Sequence, residues 1–329
     1  MRQEGRTSFL KKRSKKLLRF WARAALGRPK PKYSRVFCFF FSRKKSFLRF
    51  LKPHRRPAGA FAKHVLFVAL LFSTAARAQV MQRDIPYGPA PEQMLDFYKP
   101  AASPASLVVF VHGGGWSKGG KQGGHRVAMV LRNEGYAVAS INYRLLGPGI
   151  TIQDQASDVA HASAFLLSHA EEFGIDPRHF GLLGHSAGGH LVALVAADAS
   201  YARDSGLDFR KLSVAGALDG VFNLDLPQDA RAFRGKIDID ERSLQAVSPI
   251  DRLDAPGVRP AFCLIHENTQ PRFVAQADAF AAALHAHGDR EEEDVSPGLS
   301  HVELVTRFPD PSTVTAHLVI GCLKRYLQP

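Results

Sequence analysis

From residue 79 onward, short, predominantly apolar runs alternate with longer stretches whose apolar residues recur at helical spacing. Ser106–Val111 (SLVVFV), Tyr136–Ile141 (YAVASI), His179–Leu183 (HFGLL), Val214–Leu218 (VAGAL) and Ala261–Ile265 (AFCLI) are runs of the first kind. Each is too short for a buried helix and is bounded by glycine, proline or polar residues, which predicts strands buried on both faces. Between and after them, His125–Glu134, Gln153–Phe173, Ala187–Ala197, Val274–His287 and Thr313–Leu327 carry the helical period. Gly135 and Gly174 follow two of these as stop signals. Such alternation predicts an α/β fold, a mostly parallel central sheet with helices on both faces. No internal repeat and no Pro/Ser-rich linker interrupts residues 79–329, so they are expected to form a single domain.

Charge changes the picture at the N-terminal end. The 329 residues carry 44 Lys/Arg and 30 Asp/Glu, a formal net charge of +14. Read whole, that suggests a nucleic-acid or anionic-surface partner. Residues 1–64, however, hold 21 of the bases and one acid, Glu4. Pro29, Pro31 and Pro53 interrupt this stretch and no period holds across it, so residues 1–63 are expected to be a disordered basic extension or sequence ahead of the natural start. The apolar run in His64–Phe72 leads to Ala76-Arg77-Ala78. Basic region, short apolar run and small-x-small end are the three parts of a secretory signal, with cleavage expected after Ala78. The apolar run is far short of the roughly 20 residues that cross a bilayer. Residues 79–329 then carry 22 bases and 29 acids, net −7. The expected product is exported to a periplasmic or extracellular location, with no nucleic-acid partner and no stable membrane span.

The chemistry is concentrated in three places. Gly184-His-Ser-Ala-Gly188 follows a strand and opens a helix, the context in which a G-x-S-x-G serine is a nucleophile held on a sharp turn. Ser186 is the candidate nucleophile, and the Ala187 N–H at the start of the helix is one candidate oxyanion donor. His112-Gly-Gly-Gly-Trp116 follows the first buried strand, and its bare N–H groups in the Gly114 and Gly115 region are the others. The base is expected last in chain order. His301, in the turn Ser296–Val302, fits. The acid is expected after the strand Ala261–Ile265, where Glu267 is the first carboxylate. His185 and His190, beside the nucleophile, are expected to shape the turn, and Trp116 to wall the mouth of the site.

These motifs in this order resemble the α/β-hydrolase superfamily, and within it the HGGG-type carboxylesterases and the BD-FAE-like (feruloyl esterase-like) group. The likeness extends to Pro86–Pro89, Leu95–Pro100, Gly119–Lys121, Asn142–Leu145, Gln155 with Asp158, Gly174–Pro177 and Val247–Ile250, and so covers most of residues 80–325. It implies an α/β-hydrolase fold and acyl transfer through an acyl-enzyme. Two departures stand out. Thr269 occupies the place where the group has its aspartate, and Arg231–Ser243 is a polar insert expected to contribute to a cap.

The leading expectation is a serine esterase cleaving small or aromatic carboxylic esters. An arylformamidase-like amidase or peptidase using the same Ser/His machinery is the second, and a weakened hydrolase-fold binding protein, motivated by Thr269, the third. No Walker loop, dinucleotide fingerprint or metal-spaced His/Cys set occurs, so neither cofactor nor metal is expected. Glu291–Asp294 reads as a solvated loop in preference to a metal site. Cys263 and Cys322 read as buried small apolar residues in preference to a disulfide. Acyl and alcohol specificity and oligomeric state are not readable from the chain.

Overall fold

A computed structural model describes residues 81–225, 241–255, 257–310 and 312–328. The basic extension, the apolar run and the Ala78 junction lie outside them, as does all of the polar insert before Glu241. Eight strands form one sheet: β1 (Met81–Pro86), β2 (Met94–Tyr98), β3 (Ala105–Val111), β4 (Ala137–Ile141), β5 (Ile175–His185), β6 (Leu212–Leu218), β7 (Ala261–His266) and β8 (Glu291–Val295). Their order across the sheet is β1-β2-β4-β3-β5-β6-β7-β8. β2 runs antiparallel to both its neighbours, and β3 to β8 are parallel.

The apolar runs are strands because both faces of the sheet are covered. Along β3, Leu107, Val109 and Val111 enter one core, while Val108 and Phe110 enter the other. That period-2 division makes Leu107–Val111 apolar without interruption. The first core packs under α2 (Ile152–Ser168), α3 (Ala187–Ala197) and α4 (Pro271–Ala286), and the second under α1 (His125–Asn133) and α5 (Thr315–Tyr326). All 11 residues of α3 are buried, so the helix that follows Ser186 lies within the core. No helix among the described residues is long and apolar enough to cross a membrane.

Three readings of the sequence change. The helix expected over Gln153–Phe173 starts at a capping box between Thr151 and Asp154 but breaks at His169 before a short turn, Ala170–Phe173. The hydroxyl of Ser168 donates to the Phe165 carbonyl, and the His169 ring nitrogen lies 2.9 Å from that same oxygen. The acidic run Glu291–Asp294 is an edge strand, not a loop. It pairs with β7 on one side only and keeps its side chains at least partly in water, so acids are tolerated there. Its Glu293 lies 3.3 Å from the buried His266, and ligand-type atoms of His266, Asp278 and Glu293 lie within 4.8 Å of one another. Finally, Cys263 on β7 and Cys322 on α5 are disulfide-bonded rather than free, with Cα atoms 6.5 Å apart.

Candidate active site

The site forms where the central parallel strands end. Ser186 lies between β5 and α3 with φ 55° and ψ −118°, an unusual conformation for a residue with a side chain. The turn is tight enough that a Cβ at Gly188 would come within 2.1 Å of the Val111 carbonyl oxygen, so the second motif glycine lets α3 lie against the end of β3. Ser186 N–H donates to the Leu218 carbonyl, tying the elbow to the end of β6.

His301 approaches from the loop after β8. Its Nε2 lies 2.9 Å from Ser186 Oγ and its Nδ1 lies 2.7 Å from Asp219 Oδ2. With a carboxylate on Nδ1, that nitrogen carries the proton and Nε2 accepts from the serine hydroxyl. The ring is held on both sides, parallel to Phe273 at 4.3 Å and tilted against His185 at 4.5 Å. His185 Nε2–H also donates to the His301 carbonyl at 2.8 Å. Burial pushes the His185 pKa down to about 3, so it stays neutral and serves as a fixed hydrogen-bond donor. His190 joins two segments of the site wall, accepting from Trp116 Nε1 and donating to the Val247 carbonyl.

The carboxylate on His301 is Asp219, not Glu267. Asp219 directly follows β6, the strand hydrogen-bonded to the nucleophile's own strand, in which Leu218 is paired with His185. β7 is one strand further away, and Glu267 at its end turns elsewhere. The Glu267 carboxylate accepts from the backbone N–H groups of Thr269 and Gln270, while its own N–H donates to Asp219 Oδ1 at 2.9 Å. Asp219 is 1% exposed. Burial raises its pKa, and the bonds from His301 and the Glu267 N–H work against that rise. The signal was present in the sequence: Leu218-Asp219-Gly220 ends a buried strand on a carboxylate followed by glycine. The family expectation of an acid after the next strand passed over it.

Gly114 and Gly115 line the cleft beside Ser186, with φ of 129° and 58°. A Cβ at Gly114 would meet the Lys118 carbonyl oxygen at 2.1 Å, so this turn admits glycine alone. Ala187 opens α3, and N–H groups in a first helical turn have no acceptor within the helix. Gly114 and Gly115 thus line the same cleft as Ser186, and Ala187 follows Ser186 in the chain. The cleft, of about 640 Å³, is walled chiefly by Phe110, Trp116, Val221, Phe273, Val302 and Val305. Trp116 lines it as expected, although only 1% of the residue is exposed.

The strand order, the serine elbow and the glycine loop define an α/β-hydrolase fold. Within it, residues 95–214 match the BD-FAE family model. The chain is 29% identical to an isoprenylcysteine alpha-carbonyl methylesterase of Arabidopsis thaliana over 74% of its own length and 61% of that protein's. It thus spans about three-fifths of the plant methylesterases it matches. It is 26% identical to a kynurenine formamidase of Danio rerio, over 77% of this chain and 86% of that one. Among solved structures, Lactobacillus rhamnosis esterase B superposes with a TM-score of 0.64 at 22% identity, covering 81% of this chain and 93% of that one, a likeness of fold.

Proposed function

We propose that the protein is a serine carboxylesterase acting on small or aromatic carboxylic esters. Ser186 Oγ attacks the ester carbonyl carbon as its proton passes to His301 Nε2. Asp219 holds His301 in the required tautomer and stabilises the imidazolium. The N–H groups of Gly114, Gly115 and Ala187 receive the oxyanion. Collapse expels the alcohol, which takes the proton from His301 and leaves the acyl group on Ser186. Water then attacks the acyl-enzyme with His301 again as base, and the carboxylic acid departs.

The observation that carries this reading is the continuous relay from Ser186 Oγ through the His301 ring to Asp219, with contacts of 2.9 and 2.7 Å. Hydrolysis of p-nitrophenyl acetate by the wild type and by Ser186→Ala tests it. The expected loss is on the order of 10⁶ in kcat. Equal rates would reject it.

The similarity to a kynurenine formamidase favours a second reading, the same machinery acting on a formyl amide. N-formylkynurenine assayed beside aryl esters separates the two. The binding-protein reading rested on the absence of an acid at Thr269, and Asp219 on His301 removes that motive.

We also propose that the protein is exported and that its mature chain starts at Gln79. The three-part N-terminal sequence and the Cys263–Cys322 disulfide, a bond that persists in oxidising compartments, support this. Sequencing the N-terminus of the exported protein tests it, and a start upstream of residue 60 would refute it.

A further inference from the structure

The cleft contains one permanently charged side chain among its described lining residues, Arg272, and no carboxylate. Its guanidinium carbon lies 4.5 Å from the centre of the Phe273 ring, and that ring stacks on His301 at 4.3 Å. The cation is therefore one aromatic ring away from the imidazole that touches Ser186.

The Phe273 face is the aromatic contact of this cation, and among the described residues no carboxylate pairs with it. Arg144, Arg252 and Arg259 are each paired with an aspartate at 2.8 Å. The hydrogen bond from Arg272 goes instead to a neutral acceptor, Gln270 Oε1, at 3.1 Å. Arg272 also occupies the first turn of α4, a helix of 16 residues with no acid in that turn. A cation there opposes the helix macrodipole, so the placement costs stability rather than adding it. A guanidinium that is exposed, without a carboxylate partner among the described residues and unfavourably placed at the wall of a reaction cleft is suited to a planar anion brought in by a ligand.

We propose that Arg272 forms a carboxylate subsite, so that the preferred substrates are esters bearing a free carboxylate on the acyl or the alcohol side. This rests on the esterase reading above and narrows its substrate class. The carboxylate engages the guanidinium while the ester carbonyl sits at Ser186, and the apolar wall holds the spacer between them. Because the expected mature chain is net acidic, the attraction is local to Arg272 and is not a property of the whole surface.

The test compares kcat/KM within two isosteric pairs. One is 4-acetoxybenzoate against 4-acetoxybenzamide, with the charge on the alcohol side. The other is mono(4-nitrophenyl) terephthalate against 4-nitrophenyl 4-carbamoylbenzoate, with the charge on the acyl side. In at least one pair, the anionic-to-neutral ratio is expected to fall about tenfold in Arg272→Gln and less in Arg272→Lys. Ratios unchanged within twofold in both pairs would overturn the subsite. Calorimetric binding of terephthalate to Ser186→Ala, with and without Arg272→Gln, separates this from failure of the esterase reading. About tenfold weaker binding without the arginine supports the subsite even if no ester is cleaved, and equal binding overturns it.

Discussion

Asp219 and Glu267 stand at the ends of adjacent strands, and the backbone N–H of Glu267 donates to Asp219 Oδ1 at 2.9 Å. The Asp219 carboxylate therefore faces His301, and the main-chain N–H of Glu267 supports it. Asp219→Asn should lower kcat by about 10⁴, because the amide no longer enforces the tautomer that leaves Nε2 free to accept. Glu267→Gln should cost less than about tenfold, since its side-chain carbonyl can still accept from Thr269 and Gln270 and its N–H remains in place. Steady-state kinetics on an aryl ester distinguishes the two. A larger loss in the Glu267 variant would reverse the assignment.

The backbone of Ser186 is strained, with φ 55°. Such conformations cost roughly 1–3 kcal/mol, and glycine adopts them freely. Ser186→Gly should be inactive yet more stable than the wild type by about 1 kcal/mol, after the extra entropy glycine gains in the unfolded chain is deducted. Ser186→Ala should be inactive without that gain. Urea denaturation of the three proteins checks it.

Acid should destabilise the protein through its buried histidines. Burial holds the His190 pKa at about 4, against an ordinary value of 6.5. Between those values the unfolded chain takes up a proton that the folded one refuses, so stability present above pH 6.5 is lost as the pH falls. The slope for this one residue is up to about 1.4 kcal/mol per pH unit. His112 and His185, held at about 4 and about 3 respectively, act in the same direction. Unfolding free energies at pH 7, 6 and 5 should fall steadily, and more shallowly in His190→Gln. Equal slopes in both proteins would count against the buried neutral imidazole.

The Cys263–Cys322 bond joins β7 to α5 across a separation of 59 residues. Closing a loop of that size restricts the unfolded chain by about 4 kcal/mol in the chain-entropy account, and native disulfides more often give 2–4. The double variant Cys263→Ala/Cys322→Ala should lose about 2–4 kcal/mol and respond no further to reductant. The wild type should lose a similar amount when reduced. Thermal melts with and without dithiothreitol measure both.

Much of the fold was legible because its signals are local. A strand such as β3 is apolar from Leu107 to Val111 because both faces are covered, and that run is visible without knowing what covers it. The elbow around Ser186 and the glycine loop His112–Gly115 are also local, since the turn geometry itself demands small residues at fixed positions. His301 could be read from chain order. The break at His169 could not, because no glycine or proline marks it.

The sequence by itself determined the strand and helix alternation, the Ser186 elbow, the histidine that meets it and the glycine loop lining the same cleft. Only the tertiary structure decided which carboxylate serves His301, that Glu291–Val295 is a strand, and that Cys263 meets Cys322. The reason is physical. A turn is specified by its own residues, whereas a pairing across the sheet depends on which strand ends are neighbours. β6 lies beside β5, so its terminal Asp219 reaches the imidazole, and Glu267 on the next strand supports that carboxylate from behind.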